Sequence, residues 1–483
     1  LLAGGALLAY LLYLTDDFFL GWSPLKGRVL FWVLLVFLAI GLGFRLYLTY
    51  PQQLRSFPVW LRKQATLNWP WLVLLLAFGL GGLLRWQAIQ KPPALTEREQ
   101  LLAASAVRIV QRSDWRPPNF SQPPLYLYTN ALLIEGLSVL GASKPGAVPI
   151  DELKPETFLS AERALNLGFG LLNLLLLYAS GVLLFGRRAG AVAAMLFATA
   201  WFSYRATPML VPQTLAAFLA ALAFYLLMKR WRQGSVPDSG DLLGGTEGQG
   251  LPAPTNSTVS SIGRSWFWAG AFCGLATSAA YGAIFLLIPL ALIILWQPTK
   301  STTSPNYSIV NRQSSIVNAF LGWLLAFTLM VSGWFLSLPN FLDGLAAIGG
   351  APADATKFYL KDLAGHDPGL FLGLMVALGL GVVTFFVKGL RTNGENKALW
   401  LSLSFPLIYL LSLLVVGPKD GARLALVAPF LALCSTYPVE VVSKWVAVRL
   451  NDERHRWAGN ACAFGLTLLL LILGVLARRI LAS

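Results

Sequence analysis

The chain has 483 residues, of which 56% are hydrophobic and 12% charged, with a mean hydropathy of +0.64. That balance excludes an ordinary soluble globular protein. The continuous, near-spanning apolar runs exclude a β-barrel, whose short strands alternate apolar and polar residues. The net charge of +15 arises from basic residues that flank apolar runs, which fits lipid headgroups and topology rather than nucleic acid.

The fold class is therefore all-α, a polytopic membrane protein of about 13 transmembrane helices with extracytoplasmic juxtamembrane helices. The chain begins at Leu1 without a methionine, so an earlier segment is expected. Leu1–Leu14 is not read as a signal peptide, because no cleavage-site pattern follows it. Spanning runs are expected at about 1–22, 28–49, 70–90, 162–185, 189–207 and 210–228, then at 266–282, 283–297, 318–337, 370–388, 398–416, 422–442 and 457–477. The Lys- and Arg-rich hinges Arg187-Arg188, Lys229–Arg232, Lys388–Lys397 and Lys444–Arg456 all fall on one side of this arrangement and are placed in the cytoplasm. The insert 91–161 and the loop 338–369 then lie outside.

The insert carries the chemistry-bearing residues. Thr96-Glu97-Arg98-Glu99 opens it, and Leu101–Val110 follows with apolar residues at helical spacing, the pattern of a helix on a membrane surface. Asp114-Trp115-Arg116-Pro117-Pro118 breaks that helix, and Gln122-Pro123-Pro124-Leu125-Tyr126 starts the next, with prolines where the first turn lacks partners. Glu97 and Glu99 follow the end of a span, where partial desolvation raises a carboxylate toward general-base range; the other reading is a solvated surface helix.

Gly234–Ser265 and Pro298–Ser315 have the composition of flexible cytoplasmic connectors, so the acceptor pattern Asn256-Ser257-Thr258 carries no weight as a glycosylation site. Cys273, Cys434 and Cys462 are widely spaced in apolar runs and read as packed thiols. No phosphate-cradling glycine loop appears, and His366-Asp367 is too small a set for a metal site, so neither a cofactor nor a metal is expected. His455 sits in a cytoplasmic charge run.

These features resemble the integral-membrane C-type glycosyltransferases, nearest to the protein O-mannosyltransferase and lipid A aminoarabinose transferase branch. The resemblance rests on an acidic residue after the first core span, an amphipathic helix, then Pro-Pro-Leu-Tyr. It continues through Arg163-Ala164-Leu165-Asn166, the hinge Leu184-Phe185-Gly186-Arg187-Arg188, Ser203-Tyr204-Arg205-Ala206, Phe358-Tyr359-Leu360 before Gly369-Leu370, and Arg423–Pro429. The chain departs from the pattern at Thr96-Glu97, where the family shows Asp-Glu, and at Gln122, where it shows His or Lys. It departs again at Leu210-Val211-Pro212-Gln213, which lacks the family's acid.

The similarity covers about 70–480 and implies an organisation. Residues 1–69 are two additional spans, 70–232 the core with its insert, 233–265 a cytoplasmic linker, and 266–483 the C-terminal helices. It also implies inverting transfer of a sugar from a polyprenyl-phosphate donor to an acceptor protein, glycan or lipid, at the outer face of a prokaryotic plasma membrane. Glu97 is the implied base, with Glu99 or Asp114 as substitutes. Gln122, Tyr126, Arg205, His366, Lys419 and Arg423 are implied substrate contacts, the cations clamping phosphate. For Arg205, Lys419 and Arg423 the other reading is interfacial headgroup contact. Membrane lipids and further membrane subunits are the remaining expected partners. The alternative functions are a non-catalytic glycosyltransferase-like subunit of a larger assembly and, behind it, a transporter.

Overall fold

The computed structural model describes residues 59–92, 94–112, 123–142, 155–235, 256–296, 305–331, 355–386, 394–415, 421–449 and 465–470. The chain forms two compact units, Leu1–Trp69 and Pro70–Ser483. The contacts that build the site all lie within the second. The expected spans 1–22 and 28–49, together with Asp114, Gln122, Lys419 and Cys462, lie outside the described residues.

Every described element is helical. In order they are α1 (Val59–Gln90), α2 (Glu97–Arg112), α3 (Leu125–Ala142), α4 (Pro155–Phe185), α5 (Arg187–Thr199), α6 (Trp201–Ala206), α7 (Pro212–Ser235) and α8 (Asn256–Ala279). After the 3₁₀ turn Tyr281–Leu286 come α9 (Leu287–Trp296), α10 (Pro305–Met330), α11 (Ala355–His366), α12 (Pro368–Phe386) and α13 (Gly394–Val415). A second 3₁₀ turn, Gly421–Arg423, leads into α14 (Leu424–Cys434) and α15 (Thr436–Arg449). Among the described residues six helices are long and apolar enough to cross a membrane, or seven if α11 and α12 are taken as one broken span. This is an integral membrane protein built of helices. Both α8 and α10 begin inside the stretches that composition marks as connectors, α10 with a proline in its first turn, where no backbone donor is needed.

The centre of the bundle is α14, every residue of which is buried. Phe430 packs between Phe224 and Phe405, at ring separations of 5.4 and 4.5 Å. Lipid tails are as apolar as these side chains, so close packing and interhelical hydrogen bonds hold such a bundle. Tyr437 donates its hydroxyl to Asn396 Oδ1 at 2.8 Å, and the Cys434 thiol lies 3.0 Å from the Ser402 carbonyl. Cys273 and Cys434 are buried free thiols, as their apolar context predicts.

One end of the bundle carries the arginine hinge. Gly186 turns α4 into α5 with φ of 104°, a conformation that favours glycine. Arg232, at the end of α7, donates to the carbonyls of Leu183 and Leu184 beside that turn. The two basic hinges at Arg187 and Lys229–Arg232 therefore share one end, with a cation placed on the last carbonyls of α4.

The run 189–207 does not form a single helix. Ala200, extended at φ −60° and ψ 117°, separates α5 from α6. Close to the break lies Arg85 of α1, fully buried. Its Nη1 donates to Gly81 at 3.0 Å and Ala198 at 3.4 Å, and its Nη2 to Ser203 Oγ at 2.7 Å and Phe197 at 3.5 Å. Gly170 of α4 makes the room, since a Cβ there would stand 2.6 Å from Arg85 Nε. Gly170→Ala is expected to lower stability by about 1–3 kcal/mol, the usual cost of overpacking, read as a lower Tm in detergent. An unchanged Tm would mean that Arg85 moves aside freely.

Candidate functional site

The end of the bundle away from the arginine hinge gathers the start of α2, the starts of α3 and α4, the turn 207–211 and the elbow between α11 and α12. Helix α2 starts with a capping box. Thr96 N–H and its hydroxyl each donate to Glu99 Oε2 at 2.8 Å, and Glu99 N–H donates back to Thr96 Oγ1 at 3.3 Å. The other carboxylate oxygen, Oε1, accepts from Leu210 N–H at 2.8 Å. Glu99 is buried and both its oxygens are engaged, so it latches α2 to the turn 207–211. Glu97 lies exposed in the same first turn and makes no hydrogen bond to a described residue.

The apolar face of α2 meets protein. Ala106 and Ile109 pack with Leu127, Ala131 and Ile134 of α3, Phe158 and Leu159 of α4, and Leu210. The helix expected on the membrane surface is thus docked on the core, with Leu101 among the few large apolar side chains it leaves exposed.

Under this cap sits a buried polar cluster. The Tyr126 hydroxyl donates to Glu162 Oε1, and Asn166 Nδ2 donates to that same oxygen at 3.0 Å and to the Met209 carbonyl at 3.1 Å. Arg163 Nε donates to the Pro208 carbonyl at 3.1 Å. Tyr126 and Glu162 are 2% and 0% exposed, which removes both from direct contact with solvent. Burial first, and then the adjacent Glu162 carboxylate, push the Tyr126 hydroxyl well above its ordinary range, so it stays a donor. Asn130, one helical turn below Tyr126, is also fully buried.

On the far side of the turn 207–211, two of the basic residues named from the sequence, Arg205 and His366, come together around Trp201. The Arg205 guanidinium lies over the Trp201 ring at 4.5 Å, and the His366 ring stands 4.2 Å from that ring. His366 Nδ1 is 3.1 Å from Asp362 Oδ1. A Cβ on Gly421 would stand 2.7 Å from Asp362 Oδ2 and 3.8 Å from Phe202, so the turn Gly421–Arg423 closes the same corner. Arg423 gives its carbonyl to the Tyr409 hydroxyl at 3.1 Å. Arg205 is exposed and His366 half-buried, so this face is open to a ligand.

Residues from distant parts of the chain thus meet at one end, with Glu99 and Glu162 on one side of the turn 207–211 and Arg205 and His366, the latter beside Asp362, on the other. The acid that the family pattern places after Ser203–Ala206 is absent from 210–213, but Glu99 and, through Asn166, Glu162 reach that backbone from α2 and α4. Glu162 and Arg85 have no motif of their own. Arg85 is signalled in the sequence only as a charge inside an apolar run, which is itself a reason to look, and Glu162 only as a charge at the edge of one. Among the described residues no group of three or more His, Cys, Asp or Glu side chains could hold a metal ion.

No protein-family model and no curated protein sequence matches the chain. Among solved structures it is similar to the apo oligosaccharyltransferase of Archaeoglobus fulgidus, with 16% identity and a TM-score of 0.51 over 86% of this chain and 55% of the other. It is also similar to ArnT from Cupriavidus metallidurans bound to undecaprenyl phosphate, with 14% identity and a TM-score of 0.51 over 84% of this chain and 72% of that one. The chain shares its fold with these two membrane proteins. A third similar structure is AglB from Archaeoglobus fulgidus with an inhibitory peptide and a dolichol-phosphate, at 15% identity and a TM-score of 0.50, over 86% of this chain and 56% of that one. The chain spans just over half the length of the oligosaccharyltransferase.

Proposed function

We propose that this protein is a membrane glycosyltransferase that moves a sugar from a polyprenyl-phosphate donor to an acceptor on the extracytoplasmic side, inverting the anomeric carbon. The observation that carries the reading is the corner around Trp201. There Arg205, His366 and the turn holding Arg423 meet, although more than 200 residues separate the first from the last. As the sugar leaves its carrier, negative charge grows on the phosphate, and fixed cations in a partly dry site stabilise it more than water does. Arg205 is assigned the phosphate contact, with its aromatic platform holding the guanidinium flat.

Glu97 is assigned the base. It is the exposed carboxylate of α2 and bonds to no described residue, whereas Glu99 is committed to its latch. A base that takes the acceptor proton from the side opposite the leaving phosphate produces inversion. The donor class draws support from similar proteins solved with undecaprenyl phosphate or dolichol-phosphate. The acceptor is a protein, glycan or lipid, and the setting proposed is the outer face of a prokaryotic plasma membrane.

The test is transfer of radiolabelled sugar from polyprenyl-phosphate donors by purified protein. Arg205→Ala is expected to lower kcat/KM for the donor by about 10- to 100-fold, the range for losing a hydrogen bond to a charged group. Wild-type efficiency in Arg205→Ala would remove the phosphate role from this corner. No transfer by folded wild type with any donor would favour the non-catalytic subunit.

A further inference from the structure

A helix interrupted inside a membrane leaves carbonyls on one side of the break and N–H groups on the other, and each unpaired group is costly. At Ala200 partners are found on both sides of the break. Thr199 Oγ1 donates to Met195 and Leu196 at 3.3 and 3.1 Å. Phe197 and Ala198 receive Arg85, and Phe197 also receives Ala200 N–H at 3.2 Å. Past the break, Trp201 N–H and Phe202 N–H donate to the two carboxylate oxygens of Asp367 at 2.8 and 3.2 Å. Ser203 N–H and Tyr204 N–H donate to the Ala200 carbonyl.

The two charges are matched to the two ends. A cation meets the carbonyl-rich terminus of α5 and an anion meets the N–H-rich start of α6, the favourable sign at each. They come from opposite directions. Arg85 belongs to α1, and Asp367 is the hinge of the elbow at which α11 and α12 bend by 115°. Both are buried, at 0% and 3% exposure. Among the described residues no carboxylate pairs with Arg85, whose guanidinium bonds instead to Gly81 in its own helix and to Phe197, Ala198 and Ser203 around the break. Arg85 also reaches across the break to Ser203 Oγ, which lies between Trp201 and Arg205 on α6.

We infer that Arg85 and Asp367 are positioning residues. Together they hold the break at Ala200 and set the direction in which α6 presents Trp201 and Arg205. Because Asp367 is the elbow itself, the helices on either side of residue 367 are joined mechanically to the Arg205 face. The inference that this direction matters for a phosphate ligand rests on the function proposed above; the capping of α6 does not.

The experiment uses the full chain in detergent and reads two things. The first is amide hydrogen exchange across 199–206, which needs no ligand. Asp367→Ala is expected to speed exchange of the Trp201 and Phe202 amides by at least about tenfold, with Asp367→Asn closer to wild type because its amide oxygen still accepts. The second is affinity for undecaprenyl phosphate. Asp367→Ala and Arg205→Ala are each expected to weaken it by about tenfold, and the double variant to be no weaker than Arg205→Ala alone, because both act through one contact.

Unchanged exchange in Asp367→Ala overturns the inference, and so do additive losses of affinity, which would mean independent effects. If wild type does not bind undecaprenyl phosphate, the phosphate reading falls and the exchange result alone decides the capping. If Asp367→Ala fails to fold, Arg85→Lys replaces it. Lysine cannot span both Ser203 and the Phe197–Ala198 carbonyls, so faster exchange confined to 199–206 is expected, and wild-type exchange there in Arg85→Lys overturns the inference.

Discussion

Replacing Glu97 by Gln is expected to lower sugar transfer by about 10²- to 10⁴-fold, the range for removing a general base, while leaving the protein's Tm unchanged. The separation of the two readouts follows from where Glu97 sits. It is exposed in the first turn of α2 and bonds to no described residue, so an isosteric amide disturbs no packing and no cap. Glu99, two residues on, behaves in the opposite way. Glu99→Gln weakens a capping box and the bond to Leu210, costing about 1 kcal/mol of stability. Measured side by side, transfer should collapse in the first variant and Tm should fall in the second. Full transfer by Glu97→Gln would pass the role of base to Asp114.

The second large effect is structural. Glu162→Leu is expected to destabilise the protein by about 2–6 kcal/mol, because the Tyr126 hydroxyl and the Asn166 amide would each lose an acceptor in a buried site at about 1–3 kcal/mol apiece. A buried carboxylate is expensive, and its replacement as part of a whole apolar set can be neutral or stabilising. Removing it alone is different, since its donors stay behind. Glu162→Gln keeps an acceptor oxygen and should retain most of the stability, and Tyr126→Phe combined with Glu162→Leu should recover part of the loss. Thermal unfolding in detergent of the three variants decides this. A Glu162→Leu protein as stable as wild type would show that the cluster does not hold α3 to α4.

How much was legible in the sequence differs from element to element. Long apolar runs bounded by Lys and Arg named α4, α7, α13 and the α14–α15 region as spans, because a bilayer demands that length and composition whatever the neighbours are. The prolines of 123–124 marked the start of α3 through a local rule: a first turn needs no backbone donor. Thr96 and Glu99 are the two ends of a capping box, a pattern of spacing alone, yet the second task of Glu99 at Leu210 lies 111 residues away and has no local sign. The amphipathic spacing of 101–110 was correct as to helix and silent as to partner, since an apolar face fits lipid and protein equally well.

The break at Ala200 marks the boundary most sharply. Ala198-Thr199-Ala200-Trp201 contains neither proline nor glycine, and by composition 189–207 reads as one continuous span. What stops the helix is a pair of charges from elsewhere, Arg85 and Asp367, which satisfy carbonyls and N–H groups that would otherwise have bonded to each other. The sequence by itself determined the membrane class and the six spans that qualify among the described residues, because those follow from composition and run length. Only the tertiary structure decided which carboxylate is spent on a latch, where the helix breaks, and that Arg205 and His366 both contact Trp201. Those outcomes depend on hydrogen bonds and ring contacts between residues more than 100 positions apart, and no local pattern encodes such pairings.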